Sequence, residues 1–263
     1  MNPLFAPTPP EVPLKNAPLD RAICQVRFPP IMSIGKEEFV AGFQEEVRKQ
    51  YPIMAQQLIQ PFQIQAPGSD IPIPLIPGTR SFRFSSADGA WHLVLTQDFL
   101  AIETTRYSNR SEFLHRISEA CLALEKHVGP THVSRLGIRY IDRLRGADLD
   151  RIQDFFRPEI LGLGADREVW GNTGQVLTEA LFTTAEGQLV ARWGLLPMNA
   201  TTDPNAIPVE PRRSWILDLD ASSELLVPFD PKSLIVSATG LVERIYTFFR
   251  WGVTDSFLTH FGG

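Results

Sequence analysis

The sequence predicts an α+β fold in which two βαβββα halves form one curved antiparallel sheet with helices on one face. Three observations predict it. Short runs of alternating polarity outnumber runs of helical period, each half reads strand, helix, three strands, helix, and one hairpin signature occurs at the same place in both halves. The expected organisation is a proline-rich arm over 1–19, a first half over 20–130, a second half over 131–251 and a tail over 252–263, the halves making one continuous domain.

The arm carries six prolines, Pro3, Pro7, Pro9, Pro10, Pro13 and Pro18. Proline fixes φ and removes a backbone donor, so this stretch is expected to run extended along the surface. From Arg21 the chain alternates, with Ala22, Cys24, Val26 and Phe28 on one side and Arg21, Ile23, Gln25 and Arg27 on the other, a half-buried strand ended by Pro29-Pro30. Phe39, Val40, Phe43 and Val47 recur at three and four, which predicts a helix between Lys36 and Gln50 stopped by Tyr51-Pro52. A proline-bearing connection is expected over 52–80. Runs at Ser81 to Ser86, Trp91 to Gln97 and Phe99 to Thr105 predict an antiparallel meander, with Ala87-Asp88-Gly89 as its first turn. The helix from Arg110 to Val128 is signalled by the stripe Phe113, Ile117, Cys121, Leu124 and Val128, by Asn109 and Glu112 at capping-box spacing, and by Gly129-Pro130 as its stop.

The second half opens with a strand from His132 to Leu144 and a short helical pattern over Leu149 to Leu161, using Leu149, Ile152, Phe155 and Phe156. Strands follow at Val176 to Thr184 and Gln188 to Leu195, then a proline-rich loop over 197–213 and a strand from Ser214 to Asp220. Asp230 is placed to cap a last helix with Pro231 at its first position and Leu234, Ala238, Leu241, Val242, Ile245 and Phe249 as its core stripe. No pattern stands out from Gly252 to Gly263.

The repeat extends to residue types. Phe84-Ser85-Ser86-Ala87-Asp88-Gly89 matches Phe182-Thr183-Thr184-Ala185-Glu186-Gly187, and Arg21-Ala22-Ile23-Cys24 corresponds to Arg135-Leu136-Gly137-Ile138. Short hairpins do converge on such turns, but shared element order weighs against coincidence. Two such halves joined edge to edge resemble the TATA-binding-protein-like layout, which implies a sheet face left uncovered at least in part.

Composition limits the function classes. In 263 residues, 25 Lys+Arg stand against 30 Asp+Glu, a net charge of -5 that disfavours a phosphate backbone as partner, so nucleic acid is not expected. Cys24 and Cys121 form no CxxC pair and read as two buried thiols. The start of the chain has no basic segment followed by an apolar one, and no apolar window reaches membrane length, so a cytoplasmic protein without membrane association is expected.

The polar side of the expected sheet carries Arg27, Arg135, Arg139 and Arg143, guanidinium forks able to hold a phosphate, a carboxylate or an acidic peptide. The leading expectation is therefore a non-enzymatic binding or interaction module for a protein partner or a small anionic ligand. Cross-strand charge pairing on a solvated face would account for the same residues. The alternative is a metal-dependent phosphoryl-transfer enzyme or nuclease in which Asp142, Glu179, Asp218 and Asp220 hold Mg²⁺. No Walker A, GxGxxG, GxSxG or HExxH motif is present, so neither a cofactor nor a catalytic residue is assigned. An unpaired sheet edge would also permit a homodimer.

Two segments resemble one family. Pro13-Leu14-Lys15-Asn16-Ala17-Pro18-Leu19 running into Val26-Arg27-Phe28, and Ile138-Arg139-Tyr140-Ile141-Asp142-Arg143 within Arg135 to Arg143, are similar to a sporadically distributed family of prokaryotic proteins of about this length. Its members share a Pro-Leu-x-x-Ala-Pro opening and a central strand with Leu and Asn where this chain has Ile138 and Asp142. The resemblance implies a single cytosolic unit in a mobile or defence-associated gene cluster. That family has no assigned activity, so no catalytic residue is carried over.

Overall fold

A computed structural model describes residues 2–59, 79–224 and 226–263, the side chains of 57–59 and 79 excepted. After the arm, β1 (Leu19–Arg27) leads through a tight turn at Met32–Gly35 to α1 (Glu37–Val47). Next come β2 (Ile53–Ile59), β3 (Thr79–Ser85), β4 (Trp91–Leu95), β5 (Phe99–Thr104) and α2 (Arg110–His127). The second half begins with β6 (His132–Val133) and β7 (Arg135–Arg145), then the short helices α3 (Ala147–Asp150), α4 (Ile152–Phe155), α5 (Pro158–Leu161) and α6 (Arg167–Asn172). It continues with β8 (Val176–Thr183), β9 (Gln188–Leu196), β10 (Ser214–Ser223), β11 (Val227–Pro228), α7 (Pro231–Gly252) and α8 (Asp255–His260).

The fold is α+β, with a large curved sheet in the antiparallel order β2-β3-β4-β5-β1-β7-β10-β9-β8 and a small β11-β6 ladder beside it. β1 and β7 are central partners, Ala22 lying opposite Tyr140 and Arg27 opposite Arg135. One face carries the main core: Cys24, Val26, Ile138, Leu217 and Leu219 of the sheet pack with Ile117 and Leu124 of α2 and Leu241 and Ile245 of α7.

The helix ends follow their capping residues. Asn109 Oδ1 accepts from the Glu112 N–H at 2.9 Å and Asp230 Oδ2 from the Ser233 N–H at 3.0 Å. Glu112 does not complete the expected capping box; its carboxylate turns instead to the Ser108 hydroxyl and to Arg116. No helix among the described residues is long and apolar enough to cross a membrane.

The structure corrects four element expectations. Ile53–Ile59, expected in a connection over 52–80, is the edge strand β2, while residues 60–78 lie outside the described residues. The helical pattern over 149–161 is three one-turn helices, because Pro158 holds Arg157 extended (φ -65, ψ 152) and Phe156 is extended as well. α6 was not expected; Asp166 caps it by accepting from the Glu168 and Val169 N–H groups. In the tail, Thr254 caps α8, which buries Phe257 and Leu258.

The second sheet face is only partly open. Within the loop over 197–213, Ala206 and Ile207 pack on Ile141, Leu196 and Ile216, a small second core.

Candidate functional site

Alternation along β7 turns Tyr140 and Asp142 toward the helices, and Arg135, Arg139 and Arg143 toward the opposite face. Asp142 lies across from Leu217, whose neighbours Ile216 and Asp218 point the other way. It opens into a cleft walled by the arm from Glu11 to Leu19, the approach to α2 at Tyr107 to Arg110, and Val242, Tyr246 and Phe249 of α7. Most of the lining is apolar, the usual character of a small-molecule site.

The arm is held over this cleft by α7. Tyr246 Oη accepts from the Val12 N–H at 2.8 Å and donates to the Pro10 carbonyl at 3.2 Å. Arg244, nearly buried, donates to the Pro3 and Ala6 carbonyls at 2.9 and 3.1 Å and to both oxygens of Glu186 at 2.9 Å. At the cleft mouth the Arg110 guanidinium sits 5.2 Å from the Tyr246 ring centroid and 3.7 Å from Glu11 and Glu243 carboxylate oxygens.

Asp142 is 7% exposed, and it has neither a hydrogen bond nor an ion pair among the described residues. Burial pushes its carboxyl up to about 7, and the nearby Asp20 carboxylate adds to the rise. Asp20 itself is held by Arg145 at 2.8 and 2.5 Å. Above Asp142 the Tyr107 and Tyr140 rings meet edge to face with centroids 5.4 Å apart. Burial pushes the Tyr107 phenol up to about 12, and the buried Tyr140 hydroxyl closes no hydrogen bond of good geometry. A deep carboxyl, two half-buried tyrosines and an apolar wall thus converge on one space.

The four sequence-predicted arginines share the other face, since Arg27 pairs with Arg135 and Ile23 with Arg139 in the β1–β7 register. Each has an acceptor within the chain, although the buried Arg143 Nη2 has none. Arg139 donates to both oxygens of Asp218 at 2.7 and 2.8 Å and to Asp203 at 2.7 Å. Arg135 reaches Asp220 at 3.3 Å, lying over Gly137, where a Cβ would come within 2.5 Å of its Nη1. Arg27 donates to Gln25 at 2.9 Å and stands 3.7 Å from Asp98. Arg143 is buried, with its Nε on Ser214 Oγ at 2.9 Å and its Nη1 on the Pro208 carbonyl at 2.5 Å.

The four carboxylates do not converge. Glu179, Asp218 and Asp220 face the arginine side and are joined to Arg192, Arg139 and Arg135, whereas Asp142 opens on the helix side. A metal centre built from all four is therefore ruled out by strand alternation. Among the described residues no three His, Cys, Asp or Glu side chains cluster as metal ligands.

Cys24 and Cys121 are buried free thiols. Sequence reasoning missed Tyr107, Arg110 and Tyr246, which become neighbours of Asp142 only through tertiary packing. One signal was present: within Leu136, Ile138, Tyr140, Asp142 and Leu144, an acid occupies a register that is otherwise apolar or aromatic. No protein-family model matches the sequence, and no curated protein matches it.

Proposed function

We propose that the chain is a non-enzymatic binding module that admits a small, mostly apolar molecule to the cleft under the arm, with one polar group of that molecule meeting Asp142. The observation that carries this reading is the mostly buried Asp142 carboxyl, which has no partner among the described residues and reaches the cleft at its floor. A buried polar group left unpaired costs about 1–3 kcal/mol, more when charged, and such groups persist where a ligand supplies the missing bond. The reading places the ligand on the helix side, because on the sheet face the arginines already have acceptors within the chain.

We also infer that the halves descend from one βαβββα unit in a TATA-binding-protein-like layout. Strand order supports this: outward from the central β1–β7 pair run β5, β4, β3 on one side and β10, β9, β8 on the other, with β2 as an addition.

The test is a fragment screen by ligand-observed NMR on the full chain and on Ala17→Trp. Ala17 is exposed and lines the cleft, so the indole fills the mouth without entering the core. Fragments that bind the native chain and lose binding to Ala17→Trp support the proposal. The absence of any bound fragment at millimolar concentration, or binding indifferent to Ala17→Trp, overturns it.

A further inference from the structure

A second cleft lies beside the first turns of the arm and shares no lining residue with the Asp142 cleft. Pro7 and Pro9 of the arm form one wall, and Arg250 and Trp251 at the end of α7, with Arg157 before α5, form the other. The Arg157 N–H donates to the Gly252 carbonyl at 3.0 Å, which fixes the two arginine-bearing segments side by side.

The sheet-face arginines each have at least one acceptor within the chain. Neither Arg157 nor Arg250 has a hydrogen bond from its guanidinium or an ion pair among the described residues. Arg250 Nε and Nη1 are buried with no acceptor, and the Arg157 guanidinium rests 5.8 Å from the Trp251 ring centroid. A guanidinium is always charged, so it cannot relieve burial by losing its proton. Arg157 is exposed, whereas the buried Arg250 donors without acceptors are a standing cost that the charge of an anion in the cleft would lower.

We propose that Arg157 and Arg250 form a binding site for a phosphate monoester, whose organic part lies on Trp251 and the arm prolines. Two guanidiniums without a carboxylate partner among the described residues match the two charges of the ester, and their forked donors match its oxygens. The rings of Pro7, Pro9 and Trp251 supply the apolar surface that inorganic phosphate would leave uncovered.

The test is a titration of the full chain with phenyl phosphate, with inorganic phosphate and benzyl alcohol in parallel, followed through the Trp251 indole N–H resonance. Phenyl phosphate is expected to bind saturably, inorganic phosphate more weakly, and benzyl alcohol not at all. Arg250→Met keeps the apolar stem and removes the buried donors, so it is expected to fold; it and Arg157→Gln should each weaken phenyl phosphate by about tenfold or more. Arg48→Gln, just after α1, and Ala17→Trp at the other cleft should leave the affinity unchanged.

The proposal is overturned by the absence of saturable binding at millimolar concentration, or by affinity that survives both arginine changes. Equal loss in Arg48→Gln would show nonspecific charge attraction and overturn it too. Loss of binding in Ala17→Trp would put the phosphate in the Asp142 cleft, overturning this site while leaving the other reading standing.

Discussion

Asp218 is fully buried, and both of its carboxylate oxygens accept from the Arg139 guanidinium, at 2.7 and 2.8 Å. The remaining Arg139 Nη1 donates to Asp203 at 2.7 Å, tying the loop over 197–213 down onto the sheet. Asp203 in turn accepts from the Asn205 N–H at 3.1 Å, close to Ala206 and Ile207 in the second small core. One cross-strand pair therefore holds both the buried charge and the roof above it.

Arg139→Ala leaves the Asp218 carboxylate buried with Arg192, at 3.6 Å, as its one remaining ion-pair partner among the described residues, and is expected to destabilise the fold by about 3–5 kcal/mol. Replacing both partners by apolar residues, Arg139→Met with Asp218→Leu, should be less damaging than Arg139→Ala. Urea unfolding of the three chains checks this. A loss under about 1 kcal/mol for Arg139→Ala would mean that the pair holds little.

For Asp142 the folded-state value near 7 lies above the unfolded value of about 3.9, so between those limits the fold binds the extra proton. The associated stability is fully present below about pH 4 and is lost as pH rises toward about 7, a change on the order of 4 kcal/mol for a three-unit separation. Asp142→Asn removes this slope. Its stability should match the native chain near pH 4 and exceed it near pH 8. Unfolding midpoints measured across that range, taken as the difference between the two chains, isolate this group from other acids. A flat difference would contradict the assignment.

Much of the fold was legible in local signals. α2 and α7 announce themselves because a cap, a stripe and a stop agree on each: Asn109 with Phe113, Ile117 and Leu124, and Asp230-Pro231 with Leu234, Leu241 and Ile245. α8 was hidden because Phe257, Leu258 and Phe261 span too few turns to display a period. β2 was hidden because Gln56 and Gln57 interrupt its apolar pattern and Pro52 precedes it. The arginine face was legible as a face, since alternation fixes which side each residue takes, but its partners were not. Asp203 and Pro208 approach from a loop 64 and 65 residues further along the chain. The Asp142 cleft depends on the arm docking to α7 across 234 residues, through the Val12–Tyr246 bond, and no local pattern encodes that.

Two glycines on the strands that flank β10 should respond differently to alanine. Gly194 has φ +147, and an added Cβ would lie 2.0 Å from the Val176 carbonyl oxygen, backbone that can move only if β8 separates from β9. At Gly137 the obstacle is the tip of the Arg135 side chain, which can swing away from Asp220. Gly194→Ala should lower stability by about 2–4 kcal/mol and raise hydrogen exchange along β8, while Gly137→Ala stays within about 1 kcal/mol. Equal losses would indicate that β8 yields more easily than its ladder implies.

Arg244 joins three parts of the chain at one guanidinium: the arm through Pro3 and Ala6, the β8–β9 turn through Glu186, and α7 on which it stands. Arg244→Met keeps the buried stem but removes all four bonds, so the first turns of the arm should detach and become sensitive to protease while the sheet remains folded. The hydrogen bond from Arg244 also holds the Glu186 carboxyl below its ordinary value. A depressed acid contributes stability above its unfolded pKa and loses it as pH falls through the folded one. The stability gap between the native chain and Arg244→Met should therefore be widest near about pH 7 and narrow toward about pH 3, as Glu186 takes up its proton. Urea midpoints at both pH values, read beside the rate of N-terminal proteolysis, check the two halves of this prediction. An arm that stays protected in Arg244→Met would show that its contacts further along, such as Tyr246 with Val12 and Pro10, are enough to hold it in place.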